Sequence, residues 1–370
     1  MRCWLYSHDS VGLGSLRRQL AIAAALAALA PAARVWLTTS LDEGARFRVP
    51  ANCEIIKLPA VRAVALRTAK LDEIARTFRP DVLLVDKHPF GLDGELSSPI
   101  AIVKRHGAHL ILGLRDILDD REAVLKKWLP SDIQKQVVRS YDRVLIYGSA
   151  SIFDATKEYQ FSVPLRKRTV FCGYVVNGDD LDSLSAGSAS SGNNKSPLVI
   201  GTAGGGADGF DLLKVFVEAA ASETWHGAVV AGPLLDARGC RALRRLAQGK
   251  GVAFRRFNAH LSPVFSRAST MVGMGGYNTL AEALSRGVSV VCVPRTRPRS
   301  EQLLRASLFE RQGLLRLIRP DDLNVKALHS AIEEALQVPR SRVLARVHSQ
   351  LQFDGALHAA KEILNHQYAG

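Results

Sequence analysis

Sulfur and aromatic side chains are scarce in this sequence, and acid is scarcer than base. The five cysteines (Cys3, Cys53, Cys172, Cys240, Cys292) are scattered and odd in number. They form no Cys-x-x-Cys pair, and no His-Glu-x-x-His occurs. These absences exclude the common zinc sites and a disulfide scaffold, and they fit a reducing, cytoplasmic compartment. Aromatic residues make up 6% of the chain, and there is no lysine-rich tail and no aromatic RNA-binding signature. Nucleic acid is therefore not an expected partner. No apolar run reaches the roughly 20 residues that cross a bilayer. The most apolar one, Leu20 to Ala33, is alanine-rich and reads as a helix buried on a sheet, with a peripheral membrane contact on the inner face left open. Arg2 to Tyr6 is strand-like rather than basic-then-apolar, so no leader peptide is expected.

What is present is a chain of 370 residues, 47% hydrophobic, enough for two or three domains with full cores. Its 49 Lys and Arg against 35 Asp and Glu leave a net charge of +14, which favours anionic partners such as nucleotide phosphates or an acidic membrane surface.

Strand-like segments recur at Cys3–Tyr6, Val35–Thr38, Glu54–Leu58, Val82–Val85, Leu110–Leu114, Val144–Tyr147 and Thr169–Cys172, with helical periodicity between most of them. Alternation of this kind predicts an α/β fold with a parallel, doubly wound sheet and functional loops at the carboxyl ends of the strands. Residues 1–178 read as the first such domain. The stretch 179–197 is rich in Ser, Gly and Asn without apolar period and reads as a linker. Asp180-Leu-Asp182 within it has the look of a metal-binding Asp-x-Asp, but no strand precedes it, so no metal site is expected. Residues 198–345 read as the second domain and 346–370 as a C-terminal helix.

In the second domain, a strand beginning at Leu198 runs into Gly204-Gly-Gly-Ala-Asp208, and Thr270-Met-Val272 runs into Gly273-Met-Gly-Gly-Tyr-Asn-Thr-Leu-Ala-Glu282. In both places glycines precede a helix, so backbone N–H groups and the positive end of the helix dipole face one spot, an arrangement suited to a phosphate. Glu282, about one turn into its helix, is placed to accept hydrogen bonds from hydroxyls. Val288 to Val293 is a further strand, closed by Pro294. An arginine-bearing loop with Arg295, Arg297 and Arg299 then leads to Glu301-Gln302, two more hydroxyl-binding side chains. The arginines read equally well as diphosphate contacts or as solvated surface.

Gly276, Thr279, Glu282, Gly287, Pro294 and Glu301-Gln302, in this order and spacing, resemble the donor half of GT-B glycosyltransferases of the MurG type, the glycosyltransferase family 28 C-terminal domain. Two positions depart from the pattern: Ser289 stands where Pro is usual, and Glu301 where Asp is commoner. The resemblance implies two Rossmann-like doubly wound domains facing a cleft, the GT-B fold. It implies an inverting, metal-independent transferase that needs no cofactor and moves a sugar from a nucleoside-diphosphate donor, UDP most of all, to an acceptor hydroxyl on a small molecule, a glycan or a lipid-linked compound. It assigns donor contacts to Gly204, Gly205, Gly206, Asp208, Phe257, Asn258, Gly275, Gly276, Tyr277, Asn278, Thr279, Glu282, Arg295, Glu301 and Gln302.

In the first domain the resemblance places Gly12, Gly14 and Ser15 in an acceptor-side loop together with His88. Relatives carry Gly-His where this chain has Gly14-Ser15, so the base is sought in His8 or Asp9, oriented by Asp116. Asp116 with Arg115 reads equally as a salt-bridged loop. Two other readings share the fold: a nucleotide-sugar 2-epimerase and a non-catalytic nucleotide-sugar-binding protein.

Overall fold

The computed structural model describes residues 1–7, 13–41, 47–60, 63–128, 132–176, 196–220, 224–258 and 261–365. The chain divides into two compact units, Met1–Gly178 with Gln352–Gly370, and Asp179–Leu351. The stretch 177–195, with Asp180 and Asp182, lies outside the described residues.

The first unit is built on seven strands: β1 (Arg2–Tyr6), β2 (Arg34–Thr39), β3 (Cys53–Lys57), β4 (Val82–Asp86), β5 (His109–Arg115), β6 (Arg143–Tyr147) and β7 (Thr169–Phe171). All pair in parallel, in the order β3-β2-β1-β4-β5-β6-β7. Parallel neighbours need crossovers, and helices supply them: α1 (Gly14–Leu29), α2 (Val64–Phe78), α3 (Ser97–Arg105), α4 (Arg121–Trp128), α5 (Ile133–Ser140), α6 (Ala155–Glu158) and α7 (Val163–Lys167). Strands covered on both faces must be apolar throughout; β4, Val-Leu-Leu-Val-Asp, is buried at every position. The apolar run from Leu20 belongs to the core, since Leu20, Ala21, Ile22, Ala23 and Leu26 are all buried.

The second unit repeats the design with β8 (Leu198–Thr202), β9 (His226–Val230), β10 (Ala253–Arg255), β11 (Thr270–Gly273), β12 (Ser289–Cys292) and β13 (Arg316–Leu317). Their order is β10-β9-β8-β11-β12-β13, again all parallel. Its helices are α8 (Phe210–Ala219), α9 (Ala237–Gly249), α10 (Ser262–Arg267), α11 (Tyr277–Ser285), α12 (Glu301–Arg311), α13 (Val325–Leu336) and α14 (Arg340–His348). Glu301 and Gln302 thus open a helix. α9 shows why this sequence is helical: Asp236 accepts a hydrogen bond from the Gly239 N–H at 2.7 Å as its cap, and Cys240, Leu243 and Ala247 form the buried stripe.

After α14 the chain rejoins the first unit. α15 (Gly355–Asn365) packs on α1 and is pinned by the Gly355 N–H to Tyr174 O at 3.1 Å, by His358 Nδ1 at 3.1 Å from Cys172 O, and by Arg143–Glu362 at 3.4 Å.

In each sheet the strand order turns back on itself once, between β1 and β4 and between β8 and β11. In open parallel sheets the crevice outside the carboxyl ends of such a strand pair is where ligands bind. The fold therefore nominates two loop clusters before any side chain is considered. Among the described residues, no helix is long and apolar enough to cross a membrane.

Candidate functional site

In the second unit, both glycine stretches lie at the strand reversal. Gly204-Gly205-Gly206 follows β8, and Gly275-Gly276 follows β11, its register partner, where Gly273 pairs with Thr202. The two loops touch. A Cβ added at Gly204 would lie 3.4 Å from Thr279 Oγ1, which sits in the first turn of α11. Two of these positions admit only glycine. Gly206 has φ +91, and a Cβ there would lie 2.5 Å from Ala231 O; Gly275 has φ +79, with its Cβ direction 3.1 Å from Cys292 Sγ. The helices that follow, α8 and α11, have Gly209 and Gly276 as N-cap residues, so neither carries a side-chain cap. Two helix N-termini thus sit beside one reversal point.

Arg295 joins these loops to α12. Its guanidinium lies 3.0 Å from Asp208 and 3.2 Å from Glu301, and its N–H donates to Gln302 Oε1 at 3.2 Å. Glu301 is 3% exposed; one carboxylate oxygen meets Arg295, and the other, Oε2, has no hydrogen-bond partner. Glu282, three residues after Thr279 in α11, is likewise buried. Phe257 and Asn258, both half-buried, follow β10; at the same strand end Arg256 O accepts from the Gly232 N–H at 2.8 Å, and Gly232 packs against Gly204 and Gly205. The structure therefore gathers Gly204, Gly205, Gly206, Asp208, Gly275, Gly276, Thr279, Glu282, Arg295, Glu301 and Gln302 on one edge of one sheet.

Reading the sequence missed Arg305. It is fully buried one turn beyond Glu301, donates to Gly275 O at 3.1 Å, and lies over the Tyr277 ring at 5.8 Å. It braces the glycine turn from below. Its spacing from Glu301 was the available signal, because residues four apart share a helix face.

In the first unit, His8, Asp9 and Gly12 lie outside the described residues. Gly14 opens α1. Ser15 is buried, and its hydroxyl donates to Asp86 Oδ2 at 2.5 Å. Asp86, the last residue of β4, also takes Arg18 at 2.7 and 3.2 Å. This buried group stands at the first sheet's reversal, so Ser15 is tied into a charge pair. Asp116 follows β5 and is 3% exposed; its Oδ1 accepts from the Ile117 N–H at 2.7 Å, and its Cβ backs onto Gly148. His88 is half-buried one residue beyond Lys87, which holds φ at 73. Deeper in, Tyr6 donates to Glu95, which also takes Arg67 at 2.5 and 2.9 Å. Burial would raise the Glu95 carboxyl, but the bonds from Arg67 and Tyr6 outweigh it and hold the group below its ordinary range.

Among the described residues, no group of three or more His, Cys, Asp and Glu is arranged to hold a metal ion. A groove lined by Leu315, Arg316, Val338 and Arg342 lies by Ser289, the amino end of β12, away from the glycine loops.

Comparison with known proteins bears on the family and the fold. Residues 237–363 match the glycosyltransferase family 28 C-terminal domain. An uncharacterized glycosyltransferase of Methanosarcina acetivorans is 23% identical over 294 residues, 76% of this chain and 72% of that one. One of Methanosarcina mazei is 22% identical over 306 residues, 80% of this chain and 75% of that one. Among solved structures, the calicheamicin glycosyltransferase CalG4 superposes with a TM-score of 0.66 at 17% identity, covering 100% of this chain and 99% of that one. Acinetobacter baumannii MurG gives 0.65 at 12% identity, covering 98% and 99%. The glycosyltransferase VinC, solved in complex with dTDP, gives 0.65 at 14% identity, covering 100% of both.

Proposed function

We propose, from the premise that this chain is a MurG-like glycosyltransferase of the GT-B fold with a family 28 C-terminal domain over residues 237–363, that it moves a sugar from a UDP-sugar to an acceptor hydroxyl with inversion. The observation that carries this reading is the meeting of two glycine loops at the reversal between β8 and β11, with Gly204 beside Thr279 and Arg295 joining Asp208 to Glu301.

The diphosphate sits at the N-termini of α8 and α11, where backbone N–H groups and helix dipoles meet the charge that grows on it as it leaves. Fixed dipoles and Arg295 supply that stabilisation, so the transfer needs neither a metal ion nor a cofactor. Glu282 accepts from the ribose hydroxyls, Phe257 and Asn258 flank the base, and Glu301 and Gln302 accept from the sugar hydroxyls. The acceptor oxygen bonds to the anomeric carbon as the bond to the diphosphate oxygen breaks. The acceptor proton goes to His8 or Asp9, with Asp116 as the orienting carboxylate. Ser15 takes no proton in this scheme, because its hydroxyl is bonded to Asp86.

A thermal-shift screen of UDP, dTDP and GDP tests the donor assignment, because a ligand that binds only the folded chain raises the melting temperature by mass action. UDP is expected to give the largest shift, and Glu282→Ala to lose most of it. No shift with any of the three would sink the reading. Incubation with a UDP-sugar alone separates the rival chemistries: an epimer would mark an epimerase, and slow release of free sugar a transferase.

A further inference from the structure

The charge of this chain is unevenly spread. From Ala237 to Arg256 there are seven cations (Arg238, Arg241, Arg244, Arg245, Lys250, Arg255 and Arg256) and no Asp or Glu. These seven equal half of the net +14. They fall on α9 and its C-cap, Lys250, and on β10 and the residue after it, Arg256; β10 is the edge strand of its sheet. All seven are exposed, and among the described residues none of them makes an ion pair. Some arginines elsewhere on the surface are balanced locally, as Arg316 is by Glu334 and Arg143 by Glu362. The neighbouring α8 offers little compensation: it carries Asp211, Lys214 and the half-buried Glu218, two acids and one base against seven cations. Asp236, the nearest acid, caps α9.

We propose that this strip is a docking face for an anionic lipid surface. Its shape argues for a membrane over nucleic acid. α9 is 13 residues long, about 20 Å of straight rod at 1.5 Å per residue. It presents a line of charge rather than a groove, and its own apolar stripe is spent on the core. Leu234, 39% exposed, stands just before its N-terminus as an apolar rim residue. Base stacking would need open aromatic faces. The two aromatics here do not offer them: Phe254 is half-buried with Arg244 over its ring at 5.5 Å, and Phe257 is half-buried. A strip of this kind adheres by charge, so the attraction falls off within a Debye length and salt weakens it. The strip lies outside the residues assigned to the donor, so this inference stands apart from the proposed reaction.

Co-sedimentation of the full chain with vesicles tests it. With phosphatidylcholine containing roughly one-third phosphatidylglycerol, the chain should pellet at low salt, and 1 M salt, where the Debye length is about 3 Å, should release it. Pure phosphatidylcholine should not retain it. R241E/R244E/R245E should bind at least about tenfold more weakly with its UDP-induced thermal shift intact. R238Q/R241Q/R245Q, which keeps Arg244 over Phe254, guards against a folding defect and should also weaken binding. No pelleting with anionic vesicles, or pelleting that both variants retain, would overturn the proposal. So would tighter retention by a DNA duplex than by the anionic vesicles, lost in the same variants, which would assign the strip to nucleic acid.

Discussion

At the scale of single residues, the candidate site rests on backbone that other side chains cannot adopt. Gly206→Val would force a side chain to φ +91 with its Cβ 2.5 Å from Ala231 O. We expect a loss of about 1–3 kcal/mol in denaturant unfolding together with loss of the UDP-induced shift; an unchanged midpoint would mean that the loop is not held as described. Arg305→Met removes the donor that anchors Gly275 O. UDP affinity should drop by about tenfold, on the order of 1.4 kcal/mol, in a titration by calorimetry. In the first unit, Asp86→Asn strips the buried Arg18 of its carboxylate. A buried ion pair broken on one side costs roughly 3–5 kcal/mol, so equilibrium unfolding should show a loss of that order, much larger than for an exposed pair such as Lys70–Glu73. Glycine spacing made Gly204–Gly206 and Gly275–Gly276 visible in the sequence. Arg305 and Asp86 were less so, because nothing local distinguishes a buried arginine or aspartate from a solvated one.

At the scale of elements, β1, α2 and the turn before α3 are joined through Tyr6, Arg67 and Glu95. The Glu95 carboxyl is held below its ordinary value, and that fixes the sign of its pH dependence. The stabilisation is present above the unfolded carboxyl value of about 4.3 and is lost as pH falls through the lower folded value. Urea midpoints measured downward from neutral pH should fall more steeply for the native chain than for Glu95→Gln, which starts less stable and has no such group to titrate. Equal acid slopes would remove Glu95 from that role. Element type was largely legible. Apolar runs such as Val82–Val85 and Val288–Val293 had to be buried strands, and helical spacing from Leu66 to Phe78 had to be a crossover. The short helices Ala155–Glu158 and Val163–Lys167, and the two-residue strand β13, were not, because elements so short never repeat their period and leave no pattern to read.

At the scale of the whole molecule, all five cysteines are free thiols. Burial pushes Cys3, Cys172 and Cys292 up to about 12, and the half-buried Cys53 to about 12 as well. These four groups remain protonated at pH 8, so thiol titration of the native chain should be slow, and five equivalents should react promptly once it is unfolded. Fast reaction of several thiols in the native chain would contradict the buried strands β1 and β12.

The linear chain settled what depends on neighbours a few residues apart. Alternating strands and helices, the glycine turns before helices and the balance of charge follow from backbone sterics and side-chain periodicity, so the α/β class and the doubly wound design could be read directly. Strand order could not be, because hydrogen bonding between parallel strands is equally possible in many permutations until the helices pack. Only the folded sheet put β8 beside β11, and with that choice brought Gly204 to Thr279, Asp208 to Arg295 and Arg305 beneath Gly275. Contacts between residues separated by 30 to 87 positions are set by packing, and packing is decided by the whole core at once.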